Sequence, residues 1–246
     1  MYRALDLHIH TTASDCYQDH MMPEAELHTS PQDIIDAALE INLDAIAITD
    51  HNTAQGIDPI RQAAQGTGLH VFPGIEITAR GGHVLTLFPE DITVPDMEAV
   101  LARLGLGEEK WGHGFEEAEL WIDQVFEVVA ERGGLAIAAH ADRKPRGFIT
   151  STDLTTEDKK RVHTSPYLEA MEITIPQDRT LWSEGLIPGY PKKHACIQGS
   201  DAHAPHEMGR RPIYVDIPEL SLKDLRLAFR ENNSHIKFPD EMGQAN

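Results

Sequence analysis

The sequence predicts an α/β fold in which a mainly parallel sheet, closed or nearly closed into a barrel, is covered by helices. Three observations carry that expectation. Short, continuously apolar runs alternate with amphipathic stretches along all 246 residues, which is the order of β-α-β units. The runs are too uniformly apolar for strands wet on one face, as expected where helices cover the sheet. Polar residues that can bind metal stand where those runs end, and in a parallel barrel such ends share one rim. A doubly wound open sheet is the alternative architecture. No G-x-G-x-x-G or P-loop follows the first run, so a dinucleotide or P-loop nucleotide is not expected.

Taken in chain order, the predicted strands are Arg3–Ile9, Asp44–Thr49, His70–Glu76, His83–Phe88, Leu135–His140, Leu168–Ile173 and Ala195–Ser200. Each is short and rich in β-branched or aliphatic residues. The first helix, Pro31–Ile41, opens on a proline at a first-turn position with Ser30 before it as N-cap. Asp58–Gln65, Pro95–Leu104, Phe115–Arg132, Thr152–Val162 and Leu222–Glu231 follow as amphipathic helices, the second of these again opened by proline. No linker, repeat or low-complexity tract interrupts the series, so residues 1–246 read as a single domain. Three connecting segments, Cys16–Ser30, Pro89–Gly114 and Ala141–Leu168, exceed ordinary loop lengths and are candidate walls of a site.

Composition narrows the function. Twenty-one Lys and Arg face 40 Asp and Glu, for a formal charge of −19. Such a chain does not offer the broad basic surface that long nucleic acid requires, although a short oligonucleotide at a local site is compatible. Two cysteines, Cys16 and Cys196, are too few for a disulfide scaffold and fit a reducing compartment. No apolar run reaches membrane-spanning length and the first residues lack a signal-peptide pattern, so no membrane partner and a cytoplasmic address are expected.

The 14 histidines carry the chemistry. The first run ends Asp6-Leu7-His8-Ile9-His10, and period-two alternation puts Asp6, His8 and His10 on one face. Other runs end in Asp50-His51, Glu76, His140 and Asp201-Ala202-His203. His83 opens its run, so it reaches the same rim only if the chain reverses tightly between Thr78 and Gly82 and the next strand runs antiparallel or bent. The rim then collects His8, His10, His51, His83, His140 and His203 with Glu76, Asp201 and, if the first loop curls back, Asp15. Nine such ligands exceed what one ion takes and suit three divalent ions of Mn, Zn or Fe type. Three carboxylates against three divalent ions leave a positive centre that attracts a phosphate ester. Of the remaining histidines, His70, His163, His194 and His235 read as surface or ordinary polar residues. His20, His28, His113 and His206 fall in candidate site loops.

The segments Leu5–Asp15, Ile48–Thr53, Pro73–Glu76, Gly82-His83, Ala139-His140 and Gly199–His203 together resemble the PHP (polymerase and histidinol phosphatase) family. The likeness runs from residue 5 to about 209 and is nearest to free-standing phosphoesterases of that family. It implies a distorted seven-stranded β/α barrel, related to the TIM barrel, holding three divalent ions. By the same resemblance, His8, His10, Glu76 and Asp201 bind the first ion. Glu76 bridges to a second ion held by His83 and His140, and Asp15, His51 and His203 hold the third. One departure stands out: Cys16 occupies a place where the family often has glycine, and a longer segment, residues 17–30, precedes the first helix.

These residues lead to a metal-dependent phosphomonoesterase acting on a small phosphorylated metabolite or nucleotide. Two ions held at Glu76 would supply an activated water for in-line attack on phosphorus. Glu76, Asp201 and Arg143 carry catalysis, with a loop histidine such as His206 as proton donor. Arg143, Lys144 and Arg146 are the cations expected to bind phosphoryl oxygens. Trp111 and Phe148 lie in the long segments and Phe115 directly follows one; all three can stack on a base or pack as lid and core. A phosphodiesterase or exonuclease on short oligonucleotides is the second reading. A non-catalytic metal-binding interaction module is the third.

Overall fold

The structure is a computed structural model that describes residues 1–17, 28–231 and 234–243. Each of the seven expected strands forms: β1 (Tyr2–Ile9), β2 (Ala45–Ile48), β3 (His70–Ala79), β4 (Gly82–Leu87), β5 (Leu135–Ala138), β6 (Leu168–Glu172) and β7 (Ala195–Ile197). Two more, β8 (Ile213–Asp216) and β9 (Ile236–Lys237), make the sheet nine-stranded, where seven strands were expected. Neither carries a long apolar run. β8 alternates buried and half-buried residues, and β9 is two residues long.

The sheet order is β7-β6-β5-β4-β3-β2-β1-β8-β9. Pairing is parallel for β1 with β2, β2 with β3, β5 with β6 and β6 with β7; β4 runs antiparallel to both neighbours. The seam between first and last strands is nearly closed from two sides. β8 pairs antiparallel with the start of β1. At the other end Ala202, just past β7, bridges Ile9: the His10 amide donates to the Ala202 carbonyl (2.9 Å) and the Ala202 amide to the His8 carbonyl (3.3 Å). All residues of β2 and β5 are buried, which explains their unbroken apolar sequences.

Helices α1 (Pro31–Glu40), α2 (Ile57–Ala64), α3 (Val94–Arg103), α4 (Ile122–Glu131), α5 (Thr156–Thr164), α6 (Arg179–Ser183), α7 (Leu222–Arg230) and α8 (Pro239–Met242) complete the fold. Ser30, Thr93 and Thr155 cap α1, α3 and α5 through reciprocal bonds with Asp33, Asp96 and Asp158. The cap at Thr155 starts α5 four residues later than its amphipathic pattern predicts. α4 starts seven residues later than expected because the backbone before it is used elsewhere. The Ala118 amide donates to the Thr78 carbonyl (2.8 Å), Glu119 to Leu104 (2.9 Å), and Arg80 to Leu120 (3.2 Å). The long segments 89–114 and 141–168 contain the expected helices as α3 and α5. Most of the expected wall 16–30 lies outside the described residues, as does His20. No helix among the described residues is long and apolar enough to cross a membrane.

Candidate metal centre

Glu76 stands in the middle of β3, fully buried, and the rim assembles around it. Its Oε1 lies 2.8 Å from His83 Nδ1 and 3.0 Å from His140 Nε2. Its Oε2 lies 3.0 Å from His51 Nδ1 and 3.3 Å from both His8 Nε2 and His10 Nε2. One carboxylate therefore faces five imidazoles, divided two and three between its oxygens. Asp201 Oδ1 adds a second acidic group 3.2 Å from His8 Nε2 and His10 Nε2. His83 arrives by the tight reversal: β3 and β4 form a hairpin with Thr78 opposite His83, turning at Gly81, whose φ of +95° suits glycine.

The electrostatics are those of a site built around positive charge. Burial opposes ionisation of Glu76, yet the neighbouring His8, His83, His51 and His10 hold its carboxyl well below the usual range. Burial likewise opposes charge on His10, but the carboxylates of Asp201 and Glu76 beside it raise it to about 9. His83 goes the other way, lowered to about 4, chiefly by burial. Despite these short distances, Glu76 Oε2, His51 Nδ1 and His140 Nδ1 make no hydrogen bond. Buried polar atoms left in that condition are costly, and a cation among them removes the cost. Three groups have ligand atoms within 4.8 Å of one another: His8, His10, Glu76 and Asp201; His51, Glu76 and His83; and His10, His51 and His203. The donor set, imidazole with carboxylate, fits first-row divalent ions.

Supporting residues fix these side chains. Glu172, at the end of β6, places both oxygens 3.1 Å from His8 Nδ1 and accepts the His140 amide at 2.7 Å. Gly199 leaves room for it, since a Cβ there would stand 2.4 Å from Glu172 Oε1. Asp50 accepts from the Thr11 amide (2.7 Å), the Thr11 hydroxyl (2.8 Å) and the Ser14 hydroxyl (2.7 Å), tying the loop after β1 to the end of β2. Asp6 shares a face with His8 and His10 but is used beneath them, accepting from the Ser200 and Gly209 amides. Asn52, His140 and Asp201 have positive φ (50°, 28° and 52°), a backbone conformation that non-glycine residues adopt mainly where their surroundings impose it.

Sequence pattern alone points to no role for Glu172, Asp50 or Asn52. The one signal at Glu172 is a carboxylate between Met171 and Ile173 at the end of a strand. Asn52 amide Nδ2 donates to the His113 (2.9 Å) and Glu116 (2.8 Å) carbonyls, pinning a wall over the site.

A cavity of about 470 Å³ opens over the histidines and is lined in part by Asp15, Cys16, His113, Phe115, Arg143 and Arg146. Asp15 is more than half exposed and pairs with His113 Nδ1. Arg143 Nη1 donates to Asp201 Oδ2 at 2.6 Å. Arg146 lies over the Phe115 ring and bonds Glu117 Oε1 at 3.1 Å. A second cavity of about 500 Å³ shares Phe115, Pro145 and Arg146 and adds Lys144. Phe115 is 80% exposed, whereas Phe148 is buried and Trp111 packs against the core. His206 is exposed and does not line either cavity. His163 and His194, expected to be surface or ordinary polar residues, are buried, with His163 against Trp182, Tyr190 and His194.

Residues 6–97 match the PHP domain family model. An uncharacterised protein of Methanocaldococcus jannaschii is 30% identical over 136 residues, covering 55% of this chain and 66% of that protein. A 5'-3' exoribonuclease of Haemophilus influenzae is 33% identical over 105 residues, 41% of this chain and 34% of the enzyme. Among solved structures, a lesion-specific endonuclease from Pyrococcus furiosus superposes with a TM-score of 0.70 at 17% identity, covering 97% of this chain and 58% of its own. The chain thus spans two thirds or less of the length of each of these relatives.

Proposed function

Because residues 6–97 carry a PHP domain, we propose that the chain is a metal-dependent phosphoesterase that hydrolyses a phosphomonoester on a small phosphorylated metabolite or nucleotide. One observation carries the reading: the buried Glu76 carboxylate turns one oxygen to His83 and His140 and the other to His8, His10 and His51, the placement of a group that bridges two ions. His8, His10, Glu76 and Asp201 hold one divalent ion, and Glu76, His83 and His140 a second. His51 and His203 hold a third, beside Asp15 at the mouth. The ions are drawn from Mn, Zn and Fe, and residues 1–246 act as one metallohydrolase domain in the cytoplasm.

When bound, such ions lower the pKa of water toward neutrality and draw charge from phosphoryl oxygens. The chain's own residues supply the rest. Glu172 holds His8 Nδ1 and so fixes which nitrogen faces the ion. Arg143 exchanges its bond to Asp201 for substrate oxygens, which a planar guanidinium matches. The wall pinned by Asn52 keeps water from the reacting face, and His113, at the mouth, is placed to protonate the leaving oxygen. Lys144 and Arg146 extend the cationic edge toward the second cavity.

The second reading, removal of mononucleotides from a short oligonucleotide, draws on that second cavity beyond the exposed Phe115 and on the exoribonuclease relative. Products from a short 5'-phosphorylated oligonucleotide with Mn²⁺ separate the two. Inorganic phosphate alone supports the monoesterase, and mononucleotides support the diesterase. Neither product, together with no phosphate from nucleoside monophosphates, overturns the phosphoesterase reading.

A further inference from the structure

The third corner of the rim contains a donor that the ligand set above does not use. His10, His51 and His203 place ring nitrogens within 4.8 Å of one another. Cys16 Sγ lies 3.0 Å from His203 Nε2, and His51 lines the same cavity as both. The neighbouring carboxylate of Asp15 is directed to His113. His51 is 7% exposed. Cys16 is held on both sides: the Asp15 amide donates to the Gly112 carbonyl (3.0 Å), the Tyr17 amide to the Ser14 carbonyl (2.9 Å), and Tyr17 is buried. The thiol is fixed at a cluster of imidazoles and opens on the cavity over the site.

We propose that Cys16 is a thiolate ligand of the ion held by His51 and His203. This rests on the metallohydrolase reading above and adds a chemical difference between its sites. As the sulfur–metal bond forms, the S–H bond breaks and its proton leaves to solvent. A thiolate with imidazoles selects Zn, or another thiophilic ion, over Mn and Mg, which prefer oxygen. The corner at Cys16 is then zinc-preferring, while the carboxylate-rich corner at Glu76 and Asp201 accepts harder ions.

Cobalt reports the difference without reference to activity. Metal-free protein titrated with Co²⁺ is expected to develop visible ligand-field bands together with a near-ultraviolet thiolate-to-cobalt charge-transfer band. Cys16→Ser is expected to lose the charge-transfer band and keep ligand-field bands from the other sites. Because Cys16 is an exposed loop residue, the variant keeps the wild-type circular dichroism. Ligand-field bands with no charge-transfer band in the wild type, or a charge-transfer band that survives in Cys16→Ser, overturn the thiolate and leave the metal centre standing. No cobalt bands at all overturn both.

Discussion

Replacing Glu76 by glutamine keeps the shape of the side chain and removes the charge that five imidazoles face. Both oxygens are engaged, at 2.8 and 3.0 Å on one side and 3.0 to 3.3 Å on the other. The amide nitrogen cannot bind a cation, so the variant loses one side of the bridge outright and the negative charge on the other. Tightly held metal is expected to fall from three ions to one, measured by elemental analysis after gel filtration. Losing the water activation and charge stabilisation of two ions lowers kcat by at least ~10³-fold, about 4 kcal/mol of barrier at 1.36 kcal/mol per decade. The metal-free variant also leaves His10, raised to about 9 in the wild type, with Asp201 as its remaining charged partner. Breaking a buried ion pair of this kind costs about 3 kcal/mol, read from urea unfolding of the apo forms. Glu76→Gln that retains three ions, or turns over within tenfold of wild type, refutes the bridging role.

Arg143→Ala is expected to lower kcat/KM by about 10²-fold with little change in stability, because the side chain is partly exposed and its bond to Asp201 is replaceable; steady-state kinetics with Arg143→Lys as an intermediate case check it. Glu172→Gln weakens metal affinity by about 10–100-fold through His8, measured by competitive chelator titration, and unchanged affinity would remove Glu172 from the centre. Phe115→Ala raises KM for nucleoside monophosphates by about 10-fold and leaves KM for a small alkyl phosphate unchanged; equal effects on both would show that the ring only packs. His163 and His194 are lowered to about 4 and about 3, mainly by burial. An unfolded histidine titrates near 6.5, so the unfolded chain binds more protons below that pH. The stability they contribute is complete above 6.5 and is lost as pH falls toward 4. His163→Phe therefore flattens the decline in unfolding free energy between pH 6.5 and 4 by up to about 1.4 kcal/mol per pH unit, measured by urea unfolding across that range.

Much of this molecule was legible in its sequence because two signals coincide. The seven apolar runs marked β1 to β7, and metal-capable residues at their ends marked the rim. His83 could be placed by requiring an antiparallel strand after Glu76, and β4 runs antiparallel. What escaped the sequence depends on contacts between distant segments. Phe115–Trp121 has a helical pattern, but its backbone bonds to β3 and to the end of α3, and those bonds outweigh local propensity. β8 is visible only as a partner for the start of β1. Glu172 lies among apolar neighbours, and its role appears only when His8, 164 residues away, is brought to it. Asp15 and Cys16 are adjacent in sequence, yet the turn sends the carboxylate to His113 and the thiol to His203. Side-chain direction in a loop has no period from which to read it.

The way the barrel closes explains why the ligands come from both ends of the described fold. β8 covers the start of β1, leaving the end of β1 free to meet the residues after β7. That meeting places His8 and His10 against Asp201 at 3.2 Å, across a separation of more than 190 residues. Backbone bonds at the seam are few: a parallel bridge at Ala202, with Ser200 donating its hydroxyl to the His8 carbonyl and its amide to Asp6. A cation held by His8, His10 and Asp201, as proposed, would join the two sides of that seam more firmly than those bonds alone. Because such an ion binds the folded chain and finds no assembled site in the unfolded one, its binding free energy adds to stability. On the proposed function, the residues that would hold the ions would therefore also complete the barrel.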